Sequence, residues 1–118
     1  MEIDRITIAI TKMDEMVAFY NGLFDTGLQP LEPMNGFQFY RGKLAGIDLL
    51  FCPNEIAEVV AERNRHQLRL VVDDVDGLRL KAVQLGGTAL DDDSVTPTSK
   101  SGSVSDPEGN TIELTQKL

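Results

Sequence analysis

The residues Asp106-Pro107-Glu108-Gly109-Asn110-Thr111-Ile112-Glu113-Leu114 join a turn to a strand. Pro107 presets φ at the second turn position, the Asp106 side chain can accept hydrogen bonds from the turn backbone, and Gly109 tolerates a left-handed conformation. From Thr111 onward apolar and polar residues alternate, so Ile112 and Leu114 face one side of a strand and Glu113 the other. A carboxylate on the face opposite the core is either solvated or aimed into a cavity.

Reading outward, Ser99 to Ser105 is the strand that this turn joins to Thr111–Gln116, and Thr88 to Asp91 is a further short strand. Gln67 to Asp73 alternates in the same way, with Leu68, Leu70 and Val72 on one face and Gln67, Arg69 and Val71 on the other. Between them Leu78, Ala82, Val83 and Leu85 predict an amphipathic helix. Asp73 and Asp74 supply negative charge at its start, and Gly86-Gly87 stops it. The order is therefore β-α-β-β-β.

The first half repeats that order. Ile3 to Ile10 alternates, with Ile6, Ile8 and Ile10 opposite Arg5, Thr7 and Ala9. Thr11 and Asp14 suggest a capping box, and Met13, Val17, Tyr20 and Phe24, flanked by Met16 and Leu23, form an apolar helical stripe that packs in the core. Gly27 suits the residue past the helix end. Leu28–Pro33, Phe37–Arg41 and Ile47–Cys52 follow as three short strands separated by Gly or Pro. Glu55 to Arg65 reads as a short charged helical linker, with Glu58 and Glu62 on one side and Ile56, Val59 and Val60 as an apolar patch. Two such modules predict an α+β domain spanning residues 1–118. Module 1 covers about 1–53, the linker about 54–65 and module 2 about 66–118.

Composition narrows the partners. The chain has 118 residues, 42% hydrophobic and 25% charged, as in an ordinary globular domain. A net charge of -8 argues against nucleic acid or an anionic membrane, since phosphate contacts need clustered Lys and Arg. No apolar run approaches the roughly 20 residues of a membrane span, so a cytoplasmic protein is expected. Cys52 is the only cysteine, which excludes an internal disulfide and a Cys-based zinc site. It is expected to be buried at a strand end and inert.

The paired modules, the Asp106–Leu114 hairpin, Phe19-Tyr20 before Gly27-Leu28, and Val72-Asp73-Asp74-Val75 together resemble the vicinal oxygen chelate superfamily. That group includes glyoxalase I, bleomycin-resistance proteins, fosfomycin-resistance enzymes and extradiol dioxygenases. The resemblance covers essentially the whole chain. It implies a curved, cup-shaped mixed sheet with helices outside, and commonly a homodimer. It also implies metal ligands on the first and last strands of each module, which here are Arg5, Asp48, Gln67 and Glu113. The alternation places Arg5, Gln67 and Glu113 on the face away from the helices, and Asp48 lies between Ile47 and Leu49 in the same way.

A divalent ion needs about three donors, usually His and carboxylate. Glu113, Gln67 and Asp48 could supply them, but Arg5 has no lone pair and carries a positive charge where the cation would sit. The expectation is therefore a metal-free cup, with Arg5 held between Glu113 and Asp48. His66, the only histidine, would enter the cup only if the strand slipped by one residue, which would turn Leu68 and Leu70 out of the core at roughly 1.5–3 kcal/mol each. Arg69 is either an ion-pair partner or a clamp for an anionic ligand group. Phe37 and Phe39, sharing a face with Arg41, either line the cup or pack. The leading functional expectation is a glyoxalase/bleomycin-resistance-like protein that binds a small molecule without the usual metal. The alternative is a lyase, isomerase or dioxygenase using Glu113 with Zn, Ni, Mn or Fe.

Overall fold

The computed structural model describes residues 2–61 and 64–118. It forms two compact units, residues 1–60 and 61–118, whose boundary falls inside the stretch 54–65. The fold is mixed α+β, with one sheet in each unit.

The first unit contains β1 (Arg5–Ile10), α1 (Met13–Phe24), β2 (Gln29–Pro30), β3 (Tyr40–Leu44), β4 (Ile47–Pro53) and α2 (Asn54–Ala57). Its sheet has the order β1-β4-β3-β2, with β1 parallel to β4 and the other neighbours antiparallel. A parallel pair needs a crossover, and α1 supplies it. The face of α1 against the sheet carries Met16, Phe19, Tyr20 and Leu23, all buried. Tyr20 is the hub: its ring meets Phe51 of β4 edge-on at 5.2 Å between centroids, Phe19 at 5.5 Å and Phe24 at 5.9 Å. The stripe expected around Met13 and Val17 is thus rotated, because Phe19 rather than Val17 points inward.

Helix α1 begins after Lys12, one residue later than the expected capping box, and ends at Asp25, which takes the left-handed conformation (φ 51°) ahead of Gly27. The chain is then tied down by Asn21. Its Oδ1 accepts from the Thr26 hydroxyl and the Leu28 N–H, both at 2.7 Å, and its Nδ2 donates to the Leu28 carbonyl. This folds residues 26–28 against β3, where Lys43 N–H donates to the Thr26 carbonyl at 2.8 Å. The approach is so close that a Cβ on Gly42 would lie 2.4 Å from that carbonyl oxygen.

Two expectations are corrected here. The strand expected at Phe37–Arg41 lies at Tyr40–Leu44, because Met34 and Phe37 exchange backbone hydrogen bonds in a turn of their own. The helix expected across Glu55–Arg65 stops at Ala57. Asn54 ends it by accepting from the Val59 N–H and donating to the Val59 carbonyl, while Glu58 adopts φ 55°. Glu62 and Arg63 lie outside the described residues.

The second unit contains β5 (Leu68–Val71), α3 (Val75–Gln84), β6 (Thr88–Ala89), β7 (Ser94–Val95), β8 (Ser99–Ser105) and β9 (Thr111–Lys117). Its sheet has the order β5-β9-β8-β6, with β5 parallel to β9. First and last strands are parallel neighbours in both units, so the repeat read from the sequence is a repeat of topology. The short β7, pairing with β8, has no counterpart in the first unit.

Asp74 caps α3 by accepting from the Gly77 N–H at 3.0 Å. Val75 and Ala82 are buried, whereas Val83 is exposed, contrary to expectation. The cap at Asp74 sets the inward face on Val75, and Val83 lies about 100° around the helix from Ala82. Ile112 and Leu114 of β9 and Val104 of β8 complete the core. The turn joining β8 to β9 is built on Asp106, which is 3% exposed. Its Oδ1 accepts from the Glu108 and Asn110 N–H groups, its Oδ2 accepts from Asn110 Nδ2, and Gly109 takes φ 88°.

Candidate functional site

Each sheet buries one face against its helix, and the expected site residues fall on the opposite faces, which are exposed at Arg5, Arg41, Lys43 and Arg69 but buried at Cys52, Ser103 and Thr115. In the first unit the register sets Arg5 opposite Asp48 and Lys43 opposite Asp48 on the other side, giving a row Lys43–Asp48–Arg5. The next row along the strands is Arg41–Leu50–Thr7. Arg5 Nε donates to Asp48 Oδ2 at 2.9 Å and Arg41 Nε donates to Asp48 Oδ1 at 2.8 Å. One carboxylate therefore holds two guanidinium groups, each through a single nitrogen. The hydrogen bond from Arg41, then that from Arg5, holds the Asp48 carboxyl below the usual carboxylate range. Both arginines are half exposed, so these pairs contribute little stability and act mainly to orient the guanidinium planes.

The sequence pattern places Arg5 beside Asp48 but groups Arg41 with Phe37 and Phe39. The missing signal was strand register: with β3 at Tyr40–Leu44, Arg41 and Lys43 share that face at a spacing of two. Phe37 and Phe39 precede β3 and are half-buried. Cys52 is buried, which pushes its thiol pKa up, as suits an inert cysteine.

In the second unit Glu113 stands between Arg69 of β5 and Ser103 of β8 in the register. Arg69 Nε lies 3.6 Å from Glu113 Oε1, a longer and looser contact than those on Asp48. Beside it is a solvent-open concavity of about 620 Å³, lined by Arg69, Val71, Thr98, Ser99, Thr115, Lys117 and Leu118. Gln67 is exposed just before β5, and His66 is exposed beside it. The segment carrying His66 is fastened by Asn64, which donates to the His66 and Thr111 carbonyls and accepts from the Thr111 N–H. The one-residue slip that would have turned His66 inward has not occurred: Leu68 pairs with Ile112 and Leu70 with Leu114.

Arg5 was expected between Asp48 and Glu113. Its Asp48 contact is present in the first unit; Glu113 belongs to the second unit, where the guanidinium beside it is that of Arg69. Within each unit, among the described residues, no three His, Cys, Asp or Glu side chains gather as a metal-binding group.

A family model of the glyoxalase-like domain matches residues 5–115. The chain belongs to this glyoxalase-like family, within the vicinal oxygen chelate group. Nothing among curated proteins matches the sequence. Solved structures share the fold at low identity. One is a glyoxalase/bleomycin resistance protein/dioxygenase family enzyme from Burkholderia phytofirmans PsJN, 21% identical over 100% of both chains with a TM-score of 0.78. Another is the fosfomycin resistance protein FosX from Listeria monocytogenes, an E126Q mutant complexed with Mn(II) and 1S,2S-dihydroxypropylphosphonic acid. It is 15% identical over 96% of this chain and 87% of that one, with a TM-score of 0.73. A third is TnmS3, an antibiotic-binding protein from Streptomyces sp. CB03234, 22% identical over 100% of this chain and 97% of that one, with a TM-score of 0.68.

Proposed function

We propose that this chain is a binding member of its family, taking a small molecule in the implied cup without the usual divalent metal. The observation that carries this reading is the double engagement of Asp48: both of its oxygens accept from guanidinium groups. The donors at the implied ligand positions do not suit a cation. Arg5 offers no lone pair, Asp48 is already neutralised, Glu113 faces Arg69, and Gln67 is a neutral donor. A cation at Asp48 would sit beside the fixed positive charges of Arg5 and Arg41, and one at Glu113 beside that of Arg69. Support comes from TnmS3, an antibiotic-binding protein with a similar fold, and from the solvent-open concavity beside Arg69.

The test is elemental analysis of protein purified without chelator, paired with thermal-shift screening with and without divalent ions. The reading expects no stoichiometric metal and ligand stabilisation that EDTA does not alter. About one tightly held Zn, Ni, Mn or Fe per chain would overturn it.

The enzymatic alternative keeps one specific support. Glu113 is partly exposed and its contact with Arg69 is loose, so it stays free enough to act as a general base or ligand. Turnover that requires metal and disappears in Glu113→Gln would establish it. A homodimer belongs to the same proposal, supported by the exposed Ile56, Val59 and Val60, and light scattering tests it. A cytoplasmic setting also belongs to it and rests on the single free thiol of Cys52.

A further inference from the structure

We infer that the face of β1, β3 and β4 opposite α1 recognises the anionic end of an organic ligand, a carboxylate or phosphonate carried on an apolar body. The inference rests on the metal-free binding reading above and adds the ligand class and its anchors. Arg5, Arg41 and Lys43 stand on this face against one anion, Asp48, in a chain whose net charge is -8. The local sign is thus opposite to that of the whole molecule.

The geometry of the pairs leaves the donors that matter. Each arginine meets Asp48 through Nε alone, so the η nitrogens of both forks remain to bind another acceptor. Fork geometry matches the oxygens of carboxylate and phosphonate groups, and an already oriented guanidinium loses less freedom on binding. Asp48 balances only one of the two guanidinium charges, and Lys43 adds a third cation beside it. Stability is a poor explanation for this arrangement, since ion pairs between exposed side chains contribute little.

The same face specifies what the anion is attached to. Beyond the row Lys43–Asp48–Arg5 come Arg41–Leu50–Thr7 and then the half-buried Ala9 beside the buried Cys52, so the face passes from charged and exposed to apolar and covered along the strands. Successive rows on one face are about 6.6 Å apart, two residues of strand rise, which is close to the length of an aromatic ring. An aromatic or short aliphatic acid fits this gradient, whereas a polyol or a cation does not.

Phenylphosphonate, with benzamide as the neutral comparison, tests the inference by nuclear magnetic resonance titration of the 15N-labelled protein. Phenylphosphonate is expected to shift the Nε–Hε signals of Arg5 and Arg41, and to bind at least about tenfold more tightly than benzamide. Arg5→Gln and Arg41→Gln should each weaken it about tenfold, while Lys81→Gln, an equal loss of charge on the exposed side of α3, should not. Arg41→Lys retains charge without the fork and should be intermediate, and it serves as the readout if Arg41→Gln does not fold. Equal affinity for benzamide, unchanged affinity in Arg41→Gln, or shifts confined to residues 64–118 would each overturn the anion site and leave metal-free binding intact. Binding of phenylphosphonate only after divalent ion is added would overturn the reading beneath it.

Discussion

Replacing Asp106 tests the turn that closes the second unit. Its carboxylate accepts hydrogen bonds within the turn from Glu108 N–H at 2.9 Å, Asn110 N–H at 3.0 Å and Asn110 Nδ2 at 2.8 Å, and the residue is almost fully buried. At about 1 kcal/mol net for each bond, Asp106→Ala should lower stability by about 3 kcal/mol. Asp106→Asn retains one acceptor oxygen, which can still serve the two backbone groups. Its amide nitrogen would face the amide nitrogen of Asn110, so only the third bond is lost and the cost falls to about 1 kcal/mol. Urea unfolding followed by circular dichroism measures both. With a slope near 2 kcal/mol/M, the midpoint should fall by about 1.5 M in the alanine variant and about 0.5 M in the asparagine variant, with the slope unchanged. Equal losses in the two variants, or a loss below about 1 kcal/mol for alanine, would refute the view that the side chain organises this turn.

Gly42→Ala should destabilise the first unit by about 1–3 kcal/mol or more, because its Cβ would stand 2.4 Å from the Thr26 carbonyl and 3.0 Å from the Leu28 nitrogen, both backbone atoms. A thermal midpoint within about 1 °C of wild type would contradict the close approach. Phe51→Ala removes the ring that Tyr20 meets edge-on in a fully buried position and should cost about 3–5 kcal/mol by urea unfolding. Because the Asp48 carboxyl titrates lower in the folded protein than in the unfolded chain, its pairing contributes fully above the ordinary value of about 3.9 and is lost as pH falls through the lowered one. Carboxyl 13C titration should show that lowered midpoint, and Arg41→Gln should raise it; a midpoint unmoved by the substitution would show that Arg41 is not the principal cause.

The sequence by itself determined the repeat of β-α-β-β-β, the Asp106–Asn110 turn and the inward set Ile112 and Leu114. These depend on period and turn chemistry within a few residues, and local spacing carries both. It also placed Arg5, Asp48 and Glu113 on faces turned away from the helices, since alternation along a strand settles which side a residue takes. Local patterning misplaced β3 and extended α2, because a competing turn at Met34–Phe37 and the Asn54 side chain each offered the backbone another set of partners. Which charges meet was decided only by tertiary structure. Arg41 comes to Asp48 through the register of β3 on β4, and Arg69 to Glu113 through the parallel pairing of β5 with β9, across 44 residues of chain. Side-chain period fixes a face, but only strand pairing fixes a neighbour, and the chemistry of this protein depends on neighbours.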